Sequence, residues 1–224
     1  MANLKKIFIT PYFGEFPEWM DKYKAHFEEI LRPKGYDWLL DTDFEGFKKR
    51  VKDKLGIEYP GLPGTGKVWD YRGALGFLYE EEIKDYPWWG HTDFDCVYGN
   101  VNKWVTDEFL SKLDVHSNHI SYVNGCWSLY RNKNEINRLF LGTDWRKYMA
   151  GSPEPNGWIE GPFSRQLERS GFPYKYTFWQ GNPYDNNPIL KLENGKLFQD
   201  IDHNGQWVEV FMFHFRRSKA WPLK

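Results

Sequence analysis

Apolar positions follow two spacings along the first hundred residues. Lys6 to Thr10 is a short aliphatic and aromatic run ended by Pro11, the pattern of a buried strand. From Pro17 onward, Trp19, Tyr23, Phe27, Ile30 and Leu31 recur at helical spacing, and Pro33 and Gly35 stop that helix. Tyr36 to Leu40 is a second strand-like run, closed by Asp41-Thr42-Asp43. Phe44, Phe47, Val51 and Leu55 predict a second helix with basic residues on its outer surface. Gly61 to Gly66 is a loop, and Val68, Tyr71, Leu75, Leu78 and Tyr79 predict a third helix from Lys67 to about Lys84. Pro87-Trp88-Trp89-Gly90-His91 then leads into a strand ending at Asp93-Phe94-Asp95.

This alternation predicts an α/β fold with an open, mostly parallel sheet flanked by helices. Ligands of such sheets bind beyond the carboxyl ends of the strands, and both Asp-x-Asp triplets fall there. Past residue 100 the order changes. Thr106 to Leu113 predicts a short helix, Ile120 to Tyr130 one or two strands around Asn124-Gly125, and Asn132 to Phe140 another helix. Ala150 to Gly161, rich in Gly, Pro and polar residues, reads as a mobile loop. Ile189 to Leu197 and Gln206 to Phe215 predict antiparallel additions in the C-terminal half. No linker or repeat divides the chain, so residues 1–224 are expected to form one domain.

Composition narrows the class. A mean hydropathy of −0.72, and no apolar run near the roughly 20 residues a membrane helix needs, predict a soluble chain. The start lacks a cleavage-site pattern, and Cys96 and Cys126 read as reduced thiols, which together predict a cytoplasmic protein. With 30 basic and 31 acidic residues the net charge is −1, excluding a strongly basic nucleic-acid clamp but not a local patch. Aromatic residues reach 19%, and their faces stack on sugar rings and bases. That favours a carbohydrate or nucleotide partner only if the rings are not simply filling the core.

Two carboxylates one residue apart at a strand end can hold a divalent cation and leave positions for diphosphate oxygens. Asp93 and Asp95 sit among further ordered blocks: Pro11 to Trp19 (Pro-Tyr-Phe-Gly-Glu-Phe-Pro-Glu-Trp), Thr42-Asp43, Asp70-Tyr71-Arg72, Trp89 to Gly99, Leu129 to Asn132, and His214 to Lys219. In that order they resemble a family of small bacterial and phage-type glycosyltransferases of the GT-A fold, long catalogued as a domain of unknown function. The resemblance spans nearly the whole chain and is loosest over residues 133–188.

It implies a nucleotide-sugar donor, a UDP-sugar being the working choice, and Mn²⁺ or Mg²⁺. Asp93, Asp95 and His214 would hold the metal, with Asp95 central to turnover. Pro11, Tyr12, Phe13 and Asp43 would line the nucleoside pocket, and Asp70 and Arg72 would hold donor sugar or diphosphate. Arg216, Arg217 and Lys219 would meet the diphosphate in a C-terminal closing segment. Glu160 is either a general base or an acceptor hydrogen-bond partner. Residues 1–100 would then be the nucleotide-binding half and 101–224 the acceptor half.

The expected acceptor is a glycan or lipid-linked saccharide. The alternative is a hydroxymethylated base of phage DNA, with Lys48, Lys49, Arg50, Lys52 and Lys54, joined by Arg216 and Arg217, following the backbone. Two other classes compete. Asp93-Phe94-Asp95-Cys96-Val97 fits the nucleophile motif of haloacid-dehalogenase-type phosphohydrolases, although that motif normally follows an aliphatic strand rather than Trp-Trp-Gly-His. A non-catalytic sugar-binding module would need neither the carboxylates nor the Asp-x-Arg helix. Asp41 with Asp43 is a second metal pair to weigh. His116 and His119 with the two cysteines lack a recognised zinc spacing.

Overall fold

The computed structural model describes residues 4–182, 185, 188–215 and 221–223. Its strands are β1 (Lys6–Pro11), β2 (Tyr36–Asp41), β3 (Trp88–Thr92), β4 (Cys96–Tyr98), β5 (Val115–Ser117) and β6 (Trp127–Arg131). They continue with β7 (Tyr174–Tyr176), β8 (Leu190–Glu193), β9 (Lys196–Asp200), β10 (Trp207–Val210) and β11 (Met212–His214). Six of them form the central sheet in the order β2-β1-β3-β6-β5-β7. The pairs β1–β2, β1–β3 and β5–β7 are parallel, and β6 runs antiparallel to both its neighbours. The fold is therefore the expected α/β arrangement, a mostly parallel sheet with antiparallel additions.

Side chains alternate across this sheet because successive residues of a strand face opposite ways. Ile7 and Ile9 enter one apolar cluster with Trp89 and Tyr130, while Phe8 enters the other with Trp88, Trp127 and Leu129. Most of the aromatic excess is thus core. The first cluster is covered by α2 (Phe44–Leu55), which turns Phe47, Val51 and Leu55 inward. The second is covered by α1 (Met20–His26) and the π-helical turn Phe27–Leu31 that prolongs it. Among the described residues no helix is long and apolar enough to cross a membrane.

Three expected elements differ. The third helix is a 3₁₀ run, Lys67–Ala74, followed by a single α-turn, Leu75–Leu78. Residues three apart eclipse in a 3₁₀ helix, which lays Lys67 Nζ on Asp70 Oδ2 at 2.9 Å. Gly76 lets the segment close on the sheet, since a Cβ there would collide with the Trp89 ring. The stretch read as one strand from Gln206 to Phe215 breaks at Phe211. Its first part, β10, joins β9 and β8, and its second, β11, pairs with β4. The loop expected to be mobile is pinned: Asn156 N donates to Asp70 at 3.0 Å, and Lys67 Nζ donates to the Tyr148 and Glu154 carbonyls.

Candidate active site

A cavity of about 660 Å³ opens beyond the carboxyl ends of β1 and β3. Asp93 and Asp95 lie in the connection between β3 and β4, and both line it. His214 reaches them through strand pairing, Cys96 of β4 standing opposite His214 of β11. Phe215 N donates to the Asp95 carbonyl at 2.8 Å, which fixes the end of that ladder. His214 Nε2 then sits 3.1 Å from Asp95 Oδ1. One carboxylate oxygen from each aspartate and one imidazole nitrogen lie within 4.8 Å of one another.

Beside this cluster lies a locked turn. Asn124 accepts from Cys126 N at 2.6 Å and donates to the Asn118 carbonyl at 3.0 Å, while Ser117 Oγ accepts from Asn124 N at 2.7 Å. His91, from the Trp-Gly-His block, is a support of this turn rather than a ligand. Its nitrogens meet the Gly125 carbonyl at 3.2 Å and the Tyr130 hydroxyl at 3.1 Å. Burial holds its pKa well below the ordinary value, so it is neutral. Gly125 leaves room for Arg72, whose guanidinium would clash with any Cβ there and which pairs with Asp93.

Charge is concentrated at this floor. Burial raises the Asp93 pKa, with Arg72 opposing the shift. His214 is desolvated too, but hydrogen bonds to Asp95 and Cys126 outweigh that and push its pKa up to about 11. Imidazole and carboxylate thus stabilise each other's charge across the 3.1 Å contact.

Of the other expected residues, Pro11, Tyr12 and Glu160 line the cavity. Tyr12 stacks on Phe16 at 5.2 Å and meets the edge of Phe94 at 5.0 Å, making an aromatic side wall. Phe13 is turned into the core against Phe44 and Phe47 and does not line it. Asp43 is also elsewhere: it caps α2, accepting from Gly46 N at 2.9 Å, beside a separate small depression. Asp41 neighbours it there, bonded to the Tyr79 hydroxyl. Asp70 is 1% exposed and committed to Lys67 and the Asn156 amide, so it anchors the 150–158 loop instead of facing the cavity. Arg216, Arg217 and Lys219 lie outside the described residues.

Several residues given no role from the sequence also line the cavity, Trp19 among them although it closes the Pro11–Trp19 block. Gln180 lines it too, and Trp19 Nε1 and Gln180 Oε1 are buried with no hydrogen-bond partner among the described residues. Trp69 lines it half exposed, as do His119, Tyr122 and Cys126, the last beside His214. His116 and His119 do not join the cysteines. His116 bonds Thr177 at 2.9 Å, and His119 stacks on Tyr122 at 3.5 Å.

Residues 40–150 match a family of unknown function (DUF6625), a stretch that contains Arg72, Asp93 and Asp95 and ends before Glu160 and His214. No curated protein matches the chain. Among solved structures, one similar to it is titled the crystal structure of a glycosyltransferase involved in the glycosylation of the major capsid of PBCV-1. It is 16% identical, with a TM-score of 0.47, over 77% of this chain and 82% of that one.

Proposed function

We propose that the chain is a metal-dependent glycosyltransferase of the GT-A type, working as one domain on a nucleoside-diphosphate sugar, with UDP-sugars the first choice, and a saccharide acceptor. The observation that carries this reading is the Asp93–Asp95–His214 cluster on the floor of a large, aromatic-walled cavity at the carboxyl end of β3. Two carboxylate oxygens and an imidazole nitrogen suit Mn²⁺, and also Mg²⁺. When bound, such an ion offsets the charge of the departing nucleoside diphosphate.

The chain's own groups supply the rest. Arg72, held between Asp93 and Gly125, keeps the first carboxylate oriented and adds a cation close to the diphosphate position. Tyr12 and Trp19 offer faces for the base, and the exposed ring of Trp69 a face for a sugar. Glu160, at the cavity wall, accepts a proton or a hydrogen bond from the acceptor hydroxyl. Asp43, Phe13 and Asp70 have no direct part in this reading.

A saccharide acceptor is preferred to modified DNA on electrostatic grounds. The basic residues of α2 proposed to follow a phosphate backbone are ion-paired: Lys48 with Glu45, Lys49 with Asp53, Arg50 with Glu82, Lys52 with Glu58 and Lys54 with Glu80. That face offers little unbalanced positive charge.

Thermal unfolding with nucleotides tests the reading. UDP with Mn²⁺ is expected to raise the Tm, chelation to remove most of the gain, and Asp95→Asn to abolish it, with its ligand-free Tm lowered by loss of the Asp95–His214 pair. Failure of UDP, GDP and the other nucleoside diphosphates with both Mn²⁺ and Mg²⁺ would overturn it.

A further inference from the structure

His214 belongs to two ligand sets. Besides Asp93 and Asp95, the thiols of Cys96 and Cys126 gather around it, and these three ligand atoms also lie within 4.8 Å of one another. The sets use different nitrogens. Nδ1 is 2.9 Å from Cys126 Sγ, whereas Nε2 faces Asp95 at 3.1 Å.

We propose that Cys96, Cys126 and His214 Nδ1 form a thiophilic metal site for a soft divalent ion of the zinc class, distinct from the carboxylate set. The residue chemistry fits. Two thiolates and one imidazole balance the charge of a divalent ion and match its softness, which carboxylates do not. Zinc bonds of about 2.3 Å to sulfur and 2.0–2.1 Å to nitrogen call for tetrahedral ligand atoms about 3.5–3.8 Å apart, inside the 4.8 Å within which these three lie. The backbone supplies the placement: Cys96 and His214 are directly opposed on β4 and β11 and so project to one face. Cys126 comes from the turn locked by Asn124.

The surroundings complete the case. An Nδ1-bound imidazole would keep its Nε2–H on Asp95, and a carboxylate behind a ligating histidine is the usual way its ring is oriented. Cys96, Cys126 and His214 are all buried, yet Cys126 and His214 line the cavity, which gives an ion a way in and a fourth position for water. Binding releases to solvent both thiol protons and the proton on His214 Nδ1, while Nε2 keeps its own. It also commits the imidazole, so a soft ion here works against a hard ion at Asp93 and Asp95. The site itself does not depend on the sugar-transfer reading.

Cobalt titration of the reduced, metal-free protein under anaerobic conditions tests this. One equivalent is expected to produce a near-ultraviolet thiolate-to-cobalt charge-transfer band, which Zn²⁺ then bleaches. Cys96→Ser and Cys126→Ser should lose the band, and Asp95→Asn should keep it. Because either serine variant can misfold, the wild-type chain carries a second measurement: one equivalent of Zn²⁺ should protect both cysteines from iodoacetamide, read by mass spectrometry. Absence of the band, or unchanged alkylation with Zn²⁺, overturns the proposal. A cobalt complex without thiolate absorption that Asp95→Asn abolishes also overturns it, assigning the metal to the carboxylate set alone. None of these readouts uses nucleotide, so a failed sugar-transfer reading leaves them interpretable.

Discussion

Asp70→Ala isolates what the buried Lys67–Asp70 pair does. Lys67 is fully buried and Asp70 is 1% exposed, with 2.9 Å between Nζ and Oδ2. Removing one partner of such a pair costs about 3–5 kcal/mol, because the other charge stays desolvated. Here Lys67 keeps the carbonyls of Tyr148 and Glu154, and the Asn156 amide released by the change is on an exposed residue that water can reach. The cost should therefore fall near the lower end, about 3 kcal/mol. For a chain of this size that is a Tm fall of roughly 6–12 °C.

Circular dichroism against temperature measures the fall, and limited proteolysis adds a local readout. The 150–158 loop is tied down chiefly through Asp70, so Asp70→Ala should open it to cleavage below the temperature of global unfolding. Lys67→Met with Asp70→Asn, which removes the charge on both sides, should recover much of the stability. A Tm fall below about 2 °C for Asp70→Ala, or a double variant no better than the single, would refute the reasoning.

Acid should destabilise the protein through its buried neutral histidines. Burial lowers His26 to about 4, where it accepts the Tyr98 amide, and His116 to about 3. The unfolded chain binds those protons from about pH 6.5 downward, so stability is present above that pH and is lost as pH falls toward 4. The slope is about 1.4 kcal/mol per pH unit for each histidine. Urea midpoints flat between pH 7 and 4.5 would contradict it. At the C-terminus, truncation after Phe213 should remove metal-dependent nucleotide stabilisation and also lower the Tm, since Phe215 is 1% exposed against Trp19 and Trp221. His214→Ala should lose the nucleotide effect with a smaller fall, and equal falls in the two proteins would show that Phe215 adds nothing.

Local pattern carried the first half of the fold into view. Strands β1 and β2 and helix α2 announce themselves because their periodicity and end signals are complete within about ten residues each. The third helix failed that logic: its apolar spacing suits an α-helix, but close packing of Gly76 on Trp89 and the Lys67–Asp70 contact select a 3₁₀ run. The Asp-x-Asp at residues 93 and 95 was legible as a strand-end pair. Asp43 and Asp70 were misplaced because a motif records residue type, while a helix cap or a buried lysine decides where the carboxylate points.

The convergence on His214 lies beyond local pattern altogether. Cys126 and His214 are 88 residues apart in the chain and meet through pairings that no short window contains. Phe213 and Phe215 enter the apolar cluster beside the small sheets, while the residue between them turns to the cavity. Strand alternation thus makes the ligand a by-product of docking the segment: Phe213 and Phe215 cannot be buried on β4 without presenting His214 to Asp95 and Cys126. Any perturbation that loosens β11 from β4 removes the imidazole from both ligand sets at once. Losses of metal binding and of C-terminal order should therefore appear together.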